Sequence, residues 1–228
     1  MLFRSVKRPV FADPAVRAAV SQAIDRDTLA SLLEGNGQAA TGVLPVNVPG
    51  WSQGTTKYTY DPEAAKKVLQ PLGLSVELVY DSASKTTAAA AEVLGSQLGD
   101  AGVNVKLSAV DNATSIGRAS SGDFDMVILQ LTAISPTIFD PMSSLFGLYY
   151  PWVGADGKVI TDSYFGGTST FDKAAQKAAV DAMQDDARAQ NAILGLYNFS
   201  VVFAVSPRVQ GFAPFQYGMY YADSISMT

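Results

Sequence analysis

Apolar residues in this chain recur with two periods, and the alternation between the periods outlines a fold. Val16, Val20, Ala23 and Ile24 repeat at helical spacing. Asp13 stands before them as an N-cap candidate, with Pro14 at the first helical position. Asp25 or Asp27 caps a second segment with Leu29, Leu32 and Leu33 as its buried stripe, and Gly35 ends it. Asp61-Pro62 repeats the device, and a short helix is predicted to about Leu69, closed by Pro71 and Gly73. Leu74–Tyr80 alternates and predicts a strand, alanine-rich Ser84–Ala101 a helix, and Val103–Val110 a second strand. A crossover of that length favours parallel pairing. Asn112–Ser121 predicts a short helix or turn carrying Arg118. Phe124–Leu131 (FDMVILQL) is apolar nearly throughout, as in a strand buried on both faces. Two helices, Phe171 to about Ala182 and Asp185 to about Tyr197, and a short strand, Ser200–Val205, complete the pattern. The fold class is therefore α/β, a sheet covered by helices on both sides.

Between these elements lie loops long enough to carry function. Gly35–Gly54 holds Trp51, which either pins the loop to the core or walls a ligand cleft. Thr132–Tyr150 follows the carboxyl end of the buried strand, where ligands sit in open α/β sheets. Tyr149, Tyr150 and Trp152 cluster beside Pro151, suited to stacking or to filling a core. Gly154–Gly157 suits a turn. Residues 209–228 carry Asp223 as their only charge beside Phe212, Phe215, Tyr217, Tyr220 and Tyr221. Such a tail either folds back on its own domain or forms half of an interface.

Composition removes whole classes of chemistry. The 228 residues include no cysteine and no histidine. Disulfides, zinc–thiolate sites, thiol catalysis and a Ser-His-Asp triad are excluded within the chain. A net charge of −5 argues against nucleic-acid binding. Asp25, Asp27, Asp185 and Asp186 suit solvated helix ends better than a metal site. Asp156–Asp162 lacks the glycine and final glutamate of a calcium loop, and Gly166-Gly167 lacks the phosphate-loop pattern. No cofactor or metal is expected. Met1–Pro9 has basic residues but no apolar core of a signal peptide, and no segment approaches the ~20 apolar residues that span a bilayer.

One pattern is more specific. Phe11-x-Asp13-Pro14-x-Val16-Arg17-x-Ala19, then Ala23-Ile24-Asp25-Arg26-Asp27-x-Leu29, resembles the opening of the second lobe in extracellular solute-binding proteins of the peptide/nickel class, family five. Pro49-Gly50-Trp51, Tyr60-Asp61-Pro62-Glu63-Ala64-Ala65-Lys66, Gly122-Asp123-Phe124-Asp125 and Asp140-Pro141 continue it in order. The resemblance implies one lobe of a periplasmic-binding-protein-like (type II) fold with a mixed sheet and with the first lobe missing. Residues 1–10 are then an entry segment or a scar, 11–208 the lobe, and 209–228 a return towards the first lobe. Full-length members begin with an export signal, so the chain reads as a fragment, a truncated gene model or an excised lobe.

The function implied is the non-enzymatic capture subunit of an ABC importer, periplasmic or extracellular, with a lipoprotein anchor in some full-length forms. Its partners would be a small-molecule or peptide ligand and a membrane permease. The resemblance directs attention to Trp51, Arg118, Gln130, Leu131, Thr132 and Ser135 as ligand contacts. An arginine in the Arg118 segment meets a ligand carboxylate in peptide binders; pairing with Asp111, Asp123 or Asp125 is the alternative. Peptide binders show a tryptophan and then an acid that holds the ligand's amino group. Here Leu131 takes the tryptophan position, and only Thr132, Ala133, Ile134 and Ser135 follow. That departure favours a neutral, hydrogen-bonding ligand such as a glycoside at least equally. A hydrolase or transferase on an α/β scaffold, and a sensory or scaffolding domain, are the rivals; no nucleophile–base pair supports the first.

Overall fold

The computed structural model describes residues 1–44, 46, 51–131, 169–214 and 222–227. Its centre is a five-stranded mixed sheet of β1 (Leu2–Arg4), β3 (Ser75–Asp81), β4 (Asn104–Val110), β5 (Met126–Ile128) and β6 (Ile193–Leu194). The order is β4-β3-β5-β1-β6. β3 pairs parallel with β4 and β5, whereas β1 runs antiparallel to β5 and β6. The helices are α1 (Pro9–Ala12), α2 (Pro14–Gln22), α3 (Arg26–Ser31), α4 (Pro62–Leu69), α5 (Lys85–Asp100), α6 (Asn112–Ser121) and α7 (Lys173–Gln190). Two short ribbons, β2 (Gly37–Ala39) with β7 (Tyr197–Phe199) and β8 (Val209–Gln210) with β9 (Ser226–Met227), lie outside the sheet. No helix among the described residues is long and apolar enough to cross a membrane.

Successive side chains of a strand point to opposite faces, and the core divides accordingly. Leu2, Val76, Leu78, Met126, Ile128 and Leu194 pack on one face with Phe11, Val20, Leu29, Leu69, Leu94 and Leu98. Phe3, Val79, Val127 and Ile193 pack on the other with Ala119, Val180, Met183 and Ala187. Helices α2 to α5 thus cover the first face, and α6 and α7 the second. Asp13, Asp25 and Asp61 cap their helices as predicted, and Ser84, Asp111 and Asp172 do the same at α5, α6 and α7; each accepts an amide of its first turn.

Four expectations change. Leu2–Arg4, which sequence alone separated from the lobe as an entry segment or scar, lies between β5 and β6 and is fully buried. The strand expected over Phe124–Leu131 is regular only for three residues, although Leu129 continues the pairing through hydrogen bonds with Met1. A single helix, α7, replaces the two expected, because Met183 and Gln184 are buried in what seemed a break between them. Ser200–Val205 is an exposed segment without regular structure; the local pairing falls one step earlier, at Tyr197–Phe199. Apolar composition there reflects no burial, with Val202 69% exposed.

Candidate functional site

The connections after β3 and β4 leave the sheet on opposite faces. α5 carries the chain from β3 to β4 on the first face, and α6 carries it from β4 across β3 to β5 on the second. Where such connections diverge, the carboxyl ends of the strands leave a crevice. A recess of about 60 Å³ occupies this position. Asp81 ends β3 and lies in it; Ile128, Leu129, Gln130 and Leu131 form its β5 side. Thr87 from the first turn of α5, and Asn112, Ser115 and Ile116 from the start of α6, close it.

The polar groups around the recess are arranged by helix starts. Ser84 Oγ accepts from Thr87 N at 3.2 Å and from Thr87 Oγ1 at 2.9 Å. Gln130 Nε2 reaches the same Ser84 oxygen at 3.4 Å, a long contact on an exposed side chain. Asp81 Oδ1 accepts from Ala83 N at 3.0 Å, and its Oδ2 accepts from Asn112 Nδ2 at 3.3 Å. Behind Gln130 and Thr87, Tyr197 is 8% exposed. Burial pushes its phenol up, and the neighbouring side chains of Gln130 and Thr87 act against that.

The expected ligand residues divide between separate places. Gln130 and Leu131 line the recess. Trp51 is half-buried and packs, with Leu131, against the second-face core, while its indole N–H is buried without a hydrogen-bond partner. Arg118 lies elsewhere. Its guanidinium takes both oxygens of Glu77, with Nη2 to Oε2 at 2.6 Å, and its Nε donates to Asp123 O at 2.8 Å. Glu77 stands at the start of β3, next to the Leu78–Met126 pairing, and its amide donates to Asp125. Arg118 therefore sits at the amino end of the parallel strands, across the sheet from Gln130. The expected pairing with Asp123 is present, Nε to Oδ2 at 3.6 Å, but the shorter contacts go to Glu77, 41 residues away in sequence and brought near only by strand pairing. Thr132 and Ser135 lie outside the described residues, as do Asp140-Pro141, Tyr149, Tyr150, Trp152, and the Asp156–Asp162 and Gly166-Gly167 segments.

Sequence reasoning passed over Asp81, Thr87, Asn112, Ser115 and Tyr197. The usable signal was positional: Asp81 directly follows a predicted strand, and Asn112 opens the next helix but one. Tyr197 gave none, having been assigned to a helix.

A larger cleft, about 240 Å³, lies beside α3 and is lined by Asp25, Arg26, Thr41, Gln53, Lys57 and Tyr58 among others. Several of its groups hold the fold. Arg26 stacks over the Tyr58 ring at 3.7 Å and donates to the carbonyls of Ser21, Ile24 and Gly195. Gly195 itself packs against the backbone of Gly42, where a Cβ would collide with Gly42 O. Asp185 anchors the preceding loop, accepting from the amides and hydroxyls of Thr55 and Thr56 at 2.5–3.0 Å. Asp25 caps α3 and Asp186 accepts from Gln190, so the four acids noted in the sequence do not converge. Among the described residues no group of three acids could hold a metal ion.

The model of a family described as "Bacterial extracellular solute-binding proteins, family 5 Middle" matches residues 1–154. The chain is 28% identical over 131 residues to a probable di/tripeptide-binding protein 5 of Pseudomonas aeruginosa (strain UCBPP-PA14), covering 55% of this chain and 25% of that protein. It is 26% identical over 137 residues to the dipeptide-binding protein of Escherichia coli (strain K12), covering 56% and 26%. The matches thus span about a quarter of the length of these relatives. Among solved structures, the fold is similar to a dipeptide binding protein from Pseudoalteromonas sp. SM9913 in complex with Met-Leu, with TM-score 0.85 and 22% identity over 100% of this chain and 48% of that one. It is also similar to AgaA from A. tumefaciens R10 in complex with agropinic acid, with TM-score 0.83 and 23% identity over 100% and 50%. The murein tripeptide binding protein MppA of Escherichia coli gives TM-score 0.84 and 19% identity over 99% and 47%.

Proposed function

Because the chain belongs to the bacterial extracellular solute-binding proteins of family 5, we propose that it acts as part of the substrate-binding component of an ABC importer. It would capture a peptide or other small polar solute and deliver it to a membrane permease. The family is one of solute-binding transport proteins rather than enzymes, and its members work in the periplasm or outside the cell. A lipid anchor on a longer form is consistent with that location.

The observation that carries this reading is the recess at the divergence of α5 and α6. It joins exposed Gln130 to the starts of two helices and to Asp81, with the apolar Ile116 and Leu131 at its lip. Such a surface offers hydrogen bonds and no reactive pair. Its action would be binding and closure: a solute held here and by a second lobe shifts an open–closed equilibrium towards the closed form. The structural neighbours span about twice this chain's length, which fits a second lobe on a longer polypeptide. Residues 209–228 would run towards it, and Trp51, Thr132 and Ser135 would complete the ligand wall beside Gln130 and Leu131.

The ligands of neighbours with this fold differ widely, from Met-Leu to agropinic acid. The ligand here must therefore come from this chain's own groups. A thermal-shift screen against short peptides, oligosaccharides and metal chelates tests the reading. A rise in Tm with one class is expected; flat curves for every class, confirmed by calorimetry, would count against solute binding.

A further inference from the structure

The chain enters β2 through a tight turn that ends on Asn36-Gly37, the one asparagine–glycine pair in the sequence. Glu34 and Gly35 take positive φ, 49° and 86°, and Asn36 N donates to Leu33 O at 2.8 Å. Asn36 is exposed, and among the described residues nothing bonds to its side-chain amide. Its main-chain carbonyl is engaged. Ser200 N donates to it at 2.7 Å at one end of the β2–β7 ladder, and Ala40 N donates to Leu196 O at the other. Bonded and non-bonded partners alternate along an antiparallel pair. With Asn36 opposite Ser200 and Ala40 opposite Leu196, Gly37 and Phe199 form a non-bonded pair, so the Gly37 N–H points away from β7. The ribbon has two strands, and among the described residues no third strand takes that N–H. Packing fixes the glycine: a Cβ at 37 would collide with Asn198 O and the Leu33 side chain.

We propose that Asn36 is a modification site, where the folded chain loses ammonia spontaneously and forms aspartate and isoaspartate. The Gly37 nitrogen, once its proton passes to solvent base, attacks Cγ of the Asn36 side chain. A C–N bond forms to Gly37, the bond from Cγ to the side-chain nitrogen breaks, and that nitrogen leaves as ammonia. Solvent water then opens the cyclic imide at either of its two C–N bonds. One opening gives aspartate with the main chain intact. The other gives isoaspartate, in which the main chain runs through Cβ and Cγ and the former Asn36 carbonyl becomes a free carboxylate. Glycine favours the ring closure because no Cβ crowds the attacking nitrogen. Asn104, Asn112 and Asn191 differ on both counts: each side chain donates to a neighbour, and Val105, Ala113 and Ala192 follow them. The isoaspartate removes the acceptor of Ser200 N and inserts a backbone atom between the turn and β2. Ser200 is also where the exposed segment to Val205 leaves the ribbon. The modification thus loosens the root of that segment, while the five-stranded sheet, which shares no strand with the ribbon, is untouched.

The test follows the native 228-residue chain during incubation in mildly alkaline buffer. Peptide mapping by mass spectrometry reads conversion at each asparagine, and an isoaspartate-specific methyltransferase labels the isoaspartyl product. Conversion at Asn36 should run at least tenfold faster than at Asn104, Asn112 or Asn191, and should accelerate as pH rises, because the attacking nitrogen must lose its proton. The chain unfolded in guanidinium chloride gives the rate without structure, and the native rate should lie within tenfold of it. Asn36→Gln should remove most of the methyl label. Hydrogen exchange of the Ser200 amide should be severalfold faster in the isoaspartyl fraction than in fresh protein. Asn36→Asp adds the charge without the backbone atom and should exchange like wild type; if it does not fold, the fresh and aged wild-type chains decide. Conversion at Asn36 no faster than at the other three, a native rate more than tenfold below the unfolded one, or a label that survives Asn36→Gln would overturn the modification site. Equal Ser200 exchange in fresh and isoaspartyl chains, or fast exchange in Asn36→Asp, would overturn its effect on the ribbon.

Discussion

The guanidinium of Arg118 faces the carboxylate of Glu77 in a two-pronged contact, Nη2 to Oε2 at 2.6 Å and Nη1 to Oε1 at 3.3 Å, at the amino end of β3. The Arg118 contact holds the Glu77 carboxyl below its ordinary range. An arginine so engaged ties α6 to the sheet. Arg118→Ala is expected to lower stability by about 0.5–1 kcal/mol, since both side chains are partly exposed. Solute affinity should change less than about twofold, well under the ~1.4 kcal/mol that a tenfold change requires. Urea denaturation and titration of the same variant separate the two. A large affinity loss at unchanged stability would return Arg118 to the ligand.

Asp13 Oδ1 accepts from Ala15 N at 2.8 Å at the start of α2. Asp13→Ala should cost about 0.5–2 kcal/mol. A denaturation midpoint equal to wild type, at equal slope, would show that the cap contributes nothing.

Asp185 makes stability depend on acid. Burial acts to raise its carboxyl, but hydrogen bonds from Thr55 and Thr56 outweigh this and lower it to about 2. The folded value lies below the unfolded one, so this stabilisation is complete above the unfolded pKa of about 4 and is lost as pH falls towards about 2. Asp185→Ala should cost about 1.5–3 kcal/mol at neutral pH, the range for hydrogen bonds to a charged group. Urea midpoints measured from pH 6 down to pH 2 should converge for wild type and variant. Parallel profiles would rule out the clasp as the source.

Arg4 is fully buried on β1, between β5 and β6. Its Nη1 donates to Arg17 O at 2.7 Å, while Nε and Nη2 have no partner. An apolar side chain of similar length removes a desolvated charge without opening a void. Arg4→Met is therefore expected to leave stability unchanged or raise it. A loss above ~2 kcal/mol would mean that the guanidinium is satisfied in solution, for instance by a buried water.

Val201, Val202 and Phe203 are exposed in a row, and Phe203 meets Phe212 edge to face at 5.3 Å. Exposed apolar surface promotes association. Sedimentation of this chain over a concentration series should show reversible self-association, weakened in Val202→Asp. A strictly monomeric chain would show that the patch is too small or too mobile to pair.

What the sequence determined by itself was local. Caps at Asp13 and Asp61, the β3–α5–β4 unit and the burial of Met126–Ile128 follow from hydrogen bonds within one helical turn and from side-chain periodicity, both properties of neighbouring residues. The family was also legible, because its motifs consist of such local devices. Tertiary structure decided everything that depended on strand order. Leu2–Arg4 looked dispensable until pairing with β5 and β6 buried it. Arg118 was expected at the ligand because an arginine of this segment meets one in the family it resembles, yet the chain crosses from one end of the sheet to the other between Arg118 and Gln130. Asp81 and Ser115 are thirty-four residues apart and come together only because α5 and α6 leave the sheet on opposite faces and open a crevice between their starts.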